Sequence, residues 1–185
     1  LPKNKIVGMA GILDSSRFIY FLSQELKVSV QKIKSFVLGG HGDSMVAMLG
    51  LTEVDGKKIN ELVKEGKIKR EKLNLIIERT KKGGAEIVKY LEKGSAFYAP
   101  AASGVEMAKS YLQDLKKQLP CAAYLNGEYG VKDLYAGVPV IIGSGGVEKV
   151  VELDLNPEEK DNFEKSIQAV RDLFKDAQKI DPSLK

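Results

Sequence analysis

Histidine and cysteine are nearly missing from these 185 residues, which hold one of each, His41 and Cys121. A single cysteine excludes an internal disulfide, and the cytoplasm is then the natural compartment. One histidine and one cysteine cannot assemble the usual zinc ligand set, so no metal is expected. No run of about 18 uncharged apolar residues occurs, so no membrane span is expected, and no signal-peptide pattern is visible. There is no GxGxxG. Gly143-Ser144-Gly145-Gly146 is not followed by Lys-Ser or Lys-Thr and leads toward a strand, so it reads as a flexible turn rather than a phosphate loop. Basic patches interleaved with aromatics are lacking, which argues against a nucleic-acid surface. Internal repeats and low-complexity segments are also absent. The chain opens LPKNKIVGMAGILDSSR without an initiator methionine, which reads as processing, an engineered boundary or a fragment of a longer protein.

What is present describes an ordinary single domain spanning 1–185. Hydrophobic residues make up 43% and charged residues 29%, enough for a core and a solvated surface. The net charge of +4 is mild, and lysines alternate with glutamates. Such a field favours anionic small molecules over polyanions.

Residues 1–13 read as an irregular lead-in. Asp14, Ser15 or Ser16 then offers a cap for a helix to about Lys27, with Phe18, Phe21, Leu22 and Leu26 on one side. Ser29 caps a short turn, and FVLG reads as a strand stopping at Gly39-Gly40. Asp55-Gly56 signals a hairpin, and Ile59, Leu62 and Val63 a short helix closed by Gly66. A long helix is expected over about 70–92, interrupted by Gly83-Gly84. Pro100 opens another to about Lys117, placing Val105, Ala108, Leu112 and Leu115 inward. Strands are expected near 121–126, 131–133 and 138–143, with turns at Asn126-Gly127 and Ala136-Gly137, then a strand in VEKVVELD. Asn156-Pro157-Glu158-Glu159 is a helix start with its own cap, and Phe163, Ile167, Val170, Phe174 and Ala177 follow at helical spacing. Helices mixed with antiparallel hairpins indicate an α+β fold.

His41, in GGHGDS, is the natural proton-transfer residue near neutral pH. Taken alone, a histidine in a glycine turn is as readily structural or merely exposed. Asp14 and Arg17 supply partners: a carboxylate that can hold the second ring nitrogen and a guanidinium that can grip a carboxylate through two parallel bonds. At i,i+3 on a helix they can face one cleft. Their plain alternatives are a helix cap and a surface ion pair. Cys121, in LPCAAYL, reads as an inert buried thiol, and a Cys121–His41 nucleophilic pair is disfavoured by that apolar setting.

GMAGILDSSRFIYFLSQEL, VLGGHGDSMV and GSAFYAPAAS together resemble the carboxy-terminal catalytic half of the lactate/malate dehydrogenase family, nearest its bacterial NAD-dependent malate dehydrogenases of the lactate-dehydrogenase-like group. The resemblance implies that family's α+β fold, long helices packed on an antiparallel sheet. It implies His41 as the acid/base residue beside the nicotinamide of NAD, Asp14 as its orienting partner and Arg17 as the clamp on the substrate's C1 carboxylate. Ala96 and Pro100 fall in the segment that lines the substrate and nicotinamide pocket in the family. An amino-terminal Rossmann half, holding most of NAD and a mobile arginine loop, would lie outside this chain. The implied substrates are malate and oxaloacetate, and the implied assembly is a homo-oligomer, dimer or tetramer. Lactate or another 2-hydroxy acid is the alternative substrate class, and a noncatalytic oligomerisation or interaction module is the alternative role for the isolated chain. After GDSMV this sequence reads AMLGLTEVDG, where similar sequences carry a basic residue near Leu49.

Overall fold

Leu13, Phe18 and Leu22 recur at helical spacing and are at most 2% exposed, and they bury one face of helix α1 (Ala10–Leu26). The computed structural model describes residues 1–184. Helix α1 starts at Ala10, four residues ahead of the expected cap at Asp14. Met9 precedes it with no side-chain cap, and Asp14, Ser15 and Ser16 lie inside the helix, where the Ser16 hydroxyl donates to the Ile12 carbonyl. Lys27 closes it in the left-handed conformation.

The strands β1 (Ile33–Lys34), β2 (Val37–Gly39), β3 (Met45–Ala47), β4 (Glu53–Val54) and β5 (Lys57–Lys58) follow in short succession. Ser29 caps the turn before them, its hydroxyl accepting the Gln31 amide. Asp55 (φ 51°) and Gly56 (φ 81°) form the expected two-residue hairpin between β4 and β5. Helices α2 (Ile59–Lys64), α3 (Arg70–Lys81), α4 (Gly83–Leu91) and α5 (Tyr98–Leu112) come next. The stretch over 70–92 does break at the glycine pair, at Lys82 (φ −90°, ψ 2°).

Strands β6 (Lys117–Asn126), β7 (Lys132–Gly143) and β8 (Gly146–Val150) precede the last long helix, α6 (Pro157–Ile180). Its start is the expected capping box: Asn156 Oδ1 accepts the Glu159 amide, and the Glu159 carboxylate accepts the Asn156 amide. The large sheet runs β3-β2-β7-β6, with β8 also on β7, all antiparallel. A small sheet runs β1-β4-β5. This is the expected α+β arrangement of helices on an antiparallel sheet.

Alternate residues of β6 (Leu119, Cys121, Ala123, Leu125) and β7 (Leu134, Ala136, Val138, Val140, Ile142) form one core with Phe163 and Ile167 of α6. A second core joins Phe18 and Leu22 of α1 to Ile33, Val37, Met45, Ile59, Leu73 and Ile76. Leu49 packs against this second core.

Two further expectations fail. Ala136-Gly137 is no turn: β7 runs straight through it, and the two predicted strands are one. Gly137 pairs with Gly39, and a Cβ on Gly137 would lie 2.5 Å from the Gly39 carbonyl oxygen. The glycine marks a close approach of backbones, not a reversal. Helix α5 begins at Tyr98, with Pro100 third, and ends at Leu112 rather than near Lys117. Its inward face carries Ser103 and Ser110, while Val105 (53%), Leu112 (78%) and Leu115 (41%) are exposed. Ser110 is drawn inward by donating to the Ile142 carbonyl at 2.6 Å.

No helix among the described residues is long and apolar enough to cross a membrane.

Candidate functional site: a buried carboxylate between an imidazole and a guanidinium

Asp14, the fifth residue of α1, is 1% exposed and is therefore not a cap. Its Oδ2 lies 2.8 Å from His41 Nδ1, across a separation of 27 residues. A carboxylate only accepts, so the Nδ1 hydrogen is donated to Asp14. That bond fixes the tautomer and leaves Nε2 as the outward nitrogen. One turn further along α1, Arg17 Nη1 stands 3.8 Å from Asp14 Oδ1. The Arg17 side chain is 12% exposed, so it is no surface ion pair. The His41 side chain is 54% exposed, presenting the ring at an open face.

The Asp14 hydrogen bond, reinforced by its charge, raises the His41 pKa above the ordinary 6.5, against opposing effects of partial burial and the Arg17 charge. A buried carboxylate thus favours the imidazolium form of a half-exposed ring.

Two serines set this geometry, and the sequence reading passed over both roles. The Ser15 hydroxyl accepts the Val37 amide at 2.9 Å, tying α1 to the strand that leads to His41. From α6, the Ser166 hydroxyl accepts the Gly40 amide at 2.8 Å and donates to the Ser44 carbonyl at 2.5 Å. It therefore clamps the His41 turn on both sides. Gly39 takes φ 84° at the start of that turn, where a Cβ would also collide with Ser166 Oγ at 2.2 Å. No sequence signal marks Ser166 beyond its place on the inward stripe of α6.

Ala96 and Pro100 are placed less decisively. Ala96 lies half-buried in the loop between α4 and α5, and Pro100 half-buried in the first turn of α5. A groove of about 1050 Å³ runs between the Asp43–Gly50 segment, α3 and the start of α6, but none of His41, Asp14 or Arg17 lines it. The cluster lies outside that groove, with the His41 side chain exposed. Cys121 is fully buried and desolvation pushes its thiol up to about 12, as an inert core thiol requires. Among the described residues, no group of three His, Cys, Asp or Glu side chains is placed to hold a metal.

Residues 12–180 match the lactate/malate dehydrogenase, alpha/beta C-terminal domain. The chain belongs to the lactate/malate dehydrogenase family. Over 184 residues it is 64% identical to a malate dehydrogenase of Pelagibacter ubique (strain HTCC1062), covering 100% of this chain and 58% of that relative. A crystal structure of Cryptosporidium parvum malate dehydrogenase matches with TM-score 0.92 and 45% identity, over 96% of this chain and 57% of that one. Lactate dehydrogenase from Eimeria maxima, solved with NADH and oxamate, matches with TM-score 0.93 and 42% identity, over 98% and 57%. The chain thus spans a little over half the length of these lactate/malate dehydrogenase family members.

Proposed function

We propose that this chain supplies the catalytic, substrate-binding half of an NAD-dependent malate dehydrogenase interconverting (S)-malate and oxaloacetate. The observation that carries the reading is the His41–Asp14–Arg17 cluster, with 2.8 Å from His41 Nδ1 to Asp14. The 64% identity to the Pelagibacter enzyme supports malate over lactate. Dinucleotide binding is assigned to an amino-terminal Rossmann domain outside these 185 residues, in keeping with the 58% of that relative which the chain covers.

The residues present suit a nicotinamide neighbour: the His41 ring is half-exposed and its Nε2 points away from Asp14. NAD, when bound, supplies the acceptor for the C2 hydride. His41 Nε2 takes the C2 hydroxyl proton as malate is oxidised and returns it as oxaloacetate is reduced. Asp14 holds the ring in the productive tautomer and stabilises the imidazolium that forms. Arg17 grips the C1 carboxylate through paired N–H donors. Ala96 and Pro100 are assigned to the pocket wall around substrate and nicotinamide. A cytoplasmic homo-oligomer is the assembly this reading carries.

The test is His41→Asn in the full-length enzyme, following NADH formation with malate. A loss of at least about 10²-fold in kcat is expected, and near-wild-type turnover would overturn the assignment. The ratio of kcat/KM for oxaloacetate over pyruvate separates malate from lactate specificity, and a ratio below unity would replace the substrate.

A further inference from the structure

Gly83 opens helix α4 and is buried, yet its backbone does not require glycine. Its φ is not positive, and glycine is less favourable than alanine within a helix. The space around it is what makes a side chain tight. A Cβ on Gly83 would lie 3.0 Å from Arg17 Cδ and 3.3 Å from Arg17 Nε. Contacts that short force the neighbour to move. At Gly84 the same construction meets only Arg17 Nη2 at 3.7 Å and Nη1 at 3.8 Å, ordinary van der Waals contact. Arg17 Nε is itself buried and has no hydrogen-bond acceptor. This edge of the guanidinium is therefore packed on Gly83, and the terminal nitrogens remain to engage a ligand.

We propose that Gly83 is a positioning residue for substrate recognition: its missing side chain forms the cradle that sets where Arg17 holds a carboxylate. The guanidinium is planar and rigid, so a shift of a few tenths of an ångström at Cδ is carried to both terminal nitrogens. Paired N–H···O bonds depend on that placement. The inference rests on the reading of Arg17 as the carboxylate clamp.

The experiment uses the full-length enzyme and steady-state kinetics with oxaloacetate. Gly83→Ala is expected to raise KM by about tenfold or more, while the thermal midpoint holds or rises because alanine favours the helix. Gly84→Ala is expected to leave KM within about twofold of wild type, as its ordinary contact distances allow. Added to Arg17→Lys, Gly83→Ala is expected to raise KM no further, because its effect passes through Arg17. An unchanged KM in Gly83→Ala, a KM rise additive with that of Arg17→Lys, or a fall in thermal midpoint or failure to fold would each overturn the cradle. If Arg17→Lys alone leaves KM unchanged, the clamp reading fails, and the cradle with it. If Arg17→Lys raises KM and Gly83→Ala does not, only the cradle fails.

Discussion

The Ser15 hydroxyl accepts the Val37 amide at 2.9 Å, and both residues are at most 5% exposed. Ser15 adjoins Asp14, and Val37 begins the strand that ends beside His41. One bond therefore sets the helix bearing the carboxylate against the strand bearing the imidazole. Ser15→Ala leaves a buried N–H without a partner, which costs about 1–3 kcal/mol. Chemical denaturation is expected to show that loss, and kcat is expected to fall more than KM rises because the His41–Asp14 register loosens. Unchanged stability would show that Val37 finds another acceptor.

The pH dependence follows from the raised His41 pKa. Under the proposed function, malate oxidation needs the neutral His41 ring, so its kcat/KM is expected to rise with pH through a value above 6.5. Oxaloacetate reduction needs the imidazolium and is expected to fall over the same window. For stability, the charged pair contributes fully below pH 6.5, and the contribution is lost as pH rises through the higher folded-state value. That contribution is small, because the ring is half-exposed. This chain has a single histidine, so one ring resonance reports the titration by NMR. In Asp14→Asn the midpoint is expected to move down, since burial and Arg17 then act without the carboxylate. A midpoint unmoved by that change would remove Asp14 as the cause.

Cys121 tests the core. Its burial and a thiol pushed up to about 12 predict no reaction with iodoacetamide at pH 8 in the folded protein. Labelling is expected only on unfolding, with a rate that tracks denaturant. Fast labelling without denaturant would mean that the α6–sheet core opens.

Glu159 does more than close the capping box. Its buried carboxylate accepts the Asn156 amide at 3.1 Å and the Gly50 amide at 2.7 Å, joining the start of α6 to the loop after β3. Glu159→Ala is expected to cost at least about 1.5–3 kcal/mol, the value of one charge-assisted bond, since two are lost. Asn156→Ala is expected to cost about 1 kcal/mol, the value of a cap alone. Equal losses in urea unfolding would show that the Gly50 bond adds nothing.

Local signals read well where neighbouring residues supply the cause. The Asp55-Gly56 hairpin, the Ser29 cap and the Asn156–Glu159 box are set within a few residues and could be seen directly. The reading failed where the partner lies far along the chain. Gly137 looked like a turn because its reason for being glycine is the Gly39 backbone. Ser15 looked like a cap because its true partner is Val37. Helix α5 showed an apolar stripe, yet the face turned inward carries Ser103 and Ser110, because the sheet offers Ser110 a carbonyl at Ile142.

The sequence by itself determined the family, through its motifs, and nominated His41, Asp14 and Arg17 from residue chemistry. Helix periodicity placed Asp14 and Arg17 on one face, since that needs only the rise of a helix. What only the tertiary structure decided was that Asp14 is buried, that it faces His41 across 27 residues, and that Ser15, Ser166 and Gly83 hold the arrangement. Those relations depend on β2 pairing with β7 at Gly39 and Gly137 and on α1 and α6 packing around the His41 turn. Such contacts depend on distances between remote segments, which no local pattern encodes.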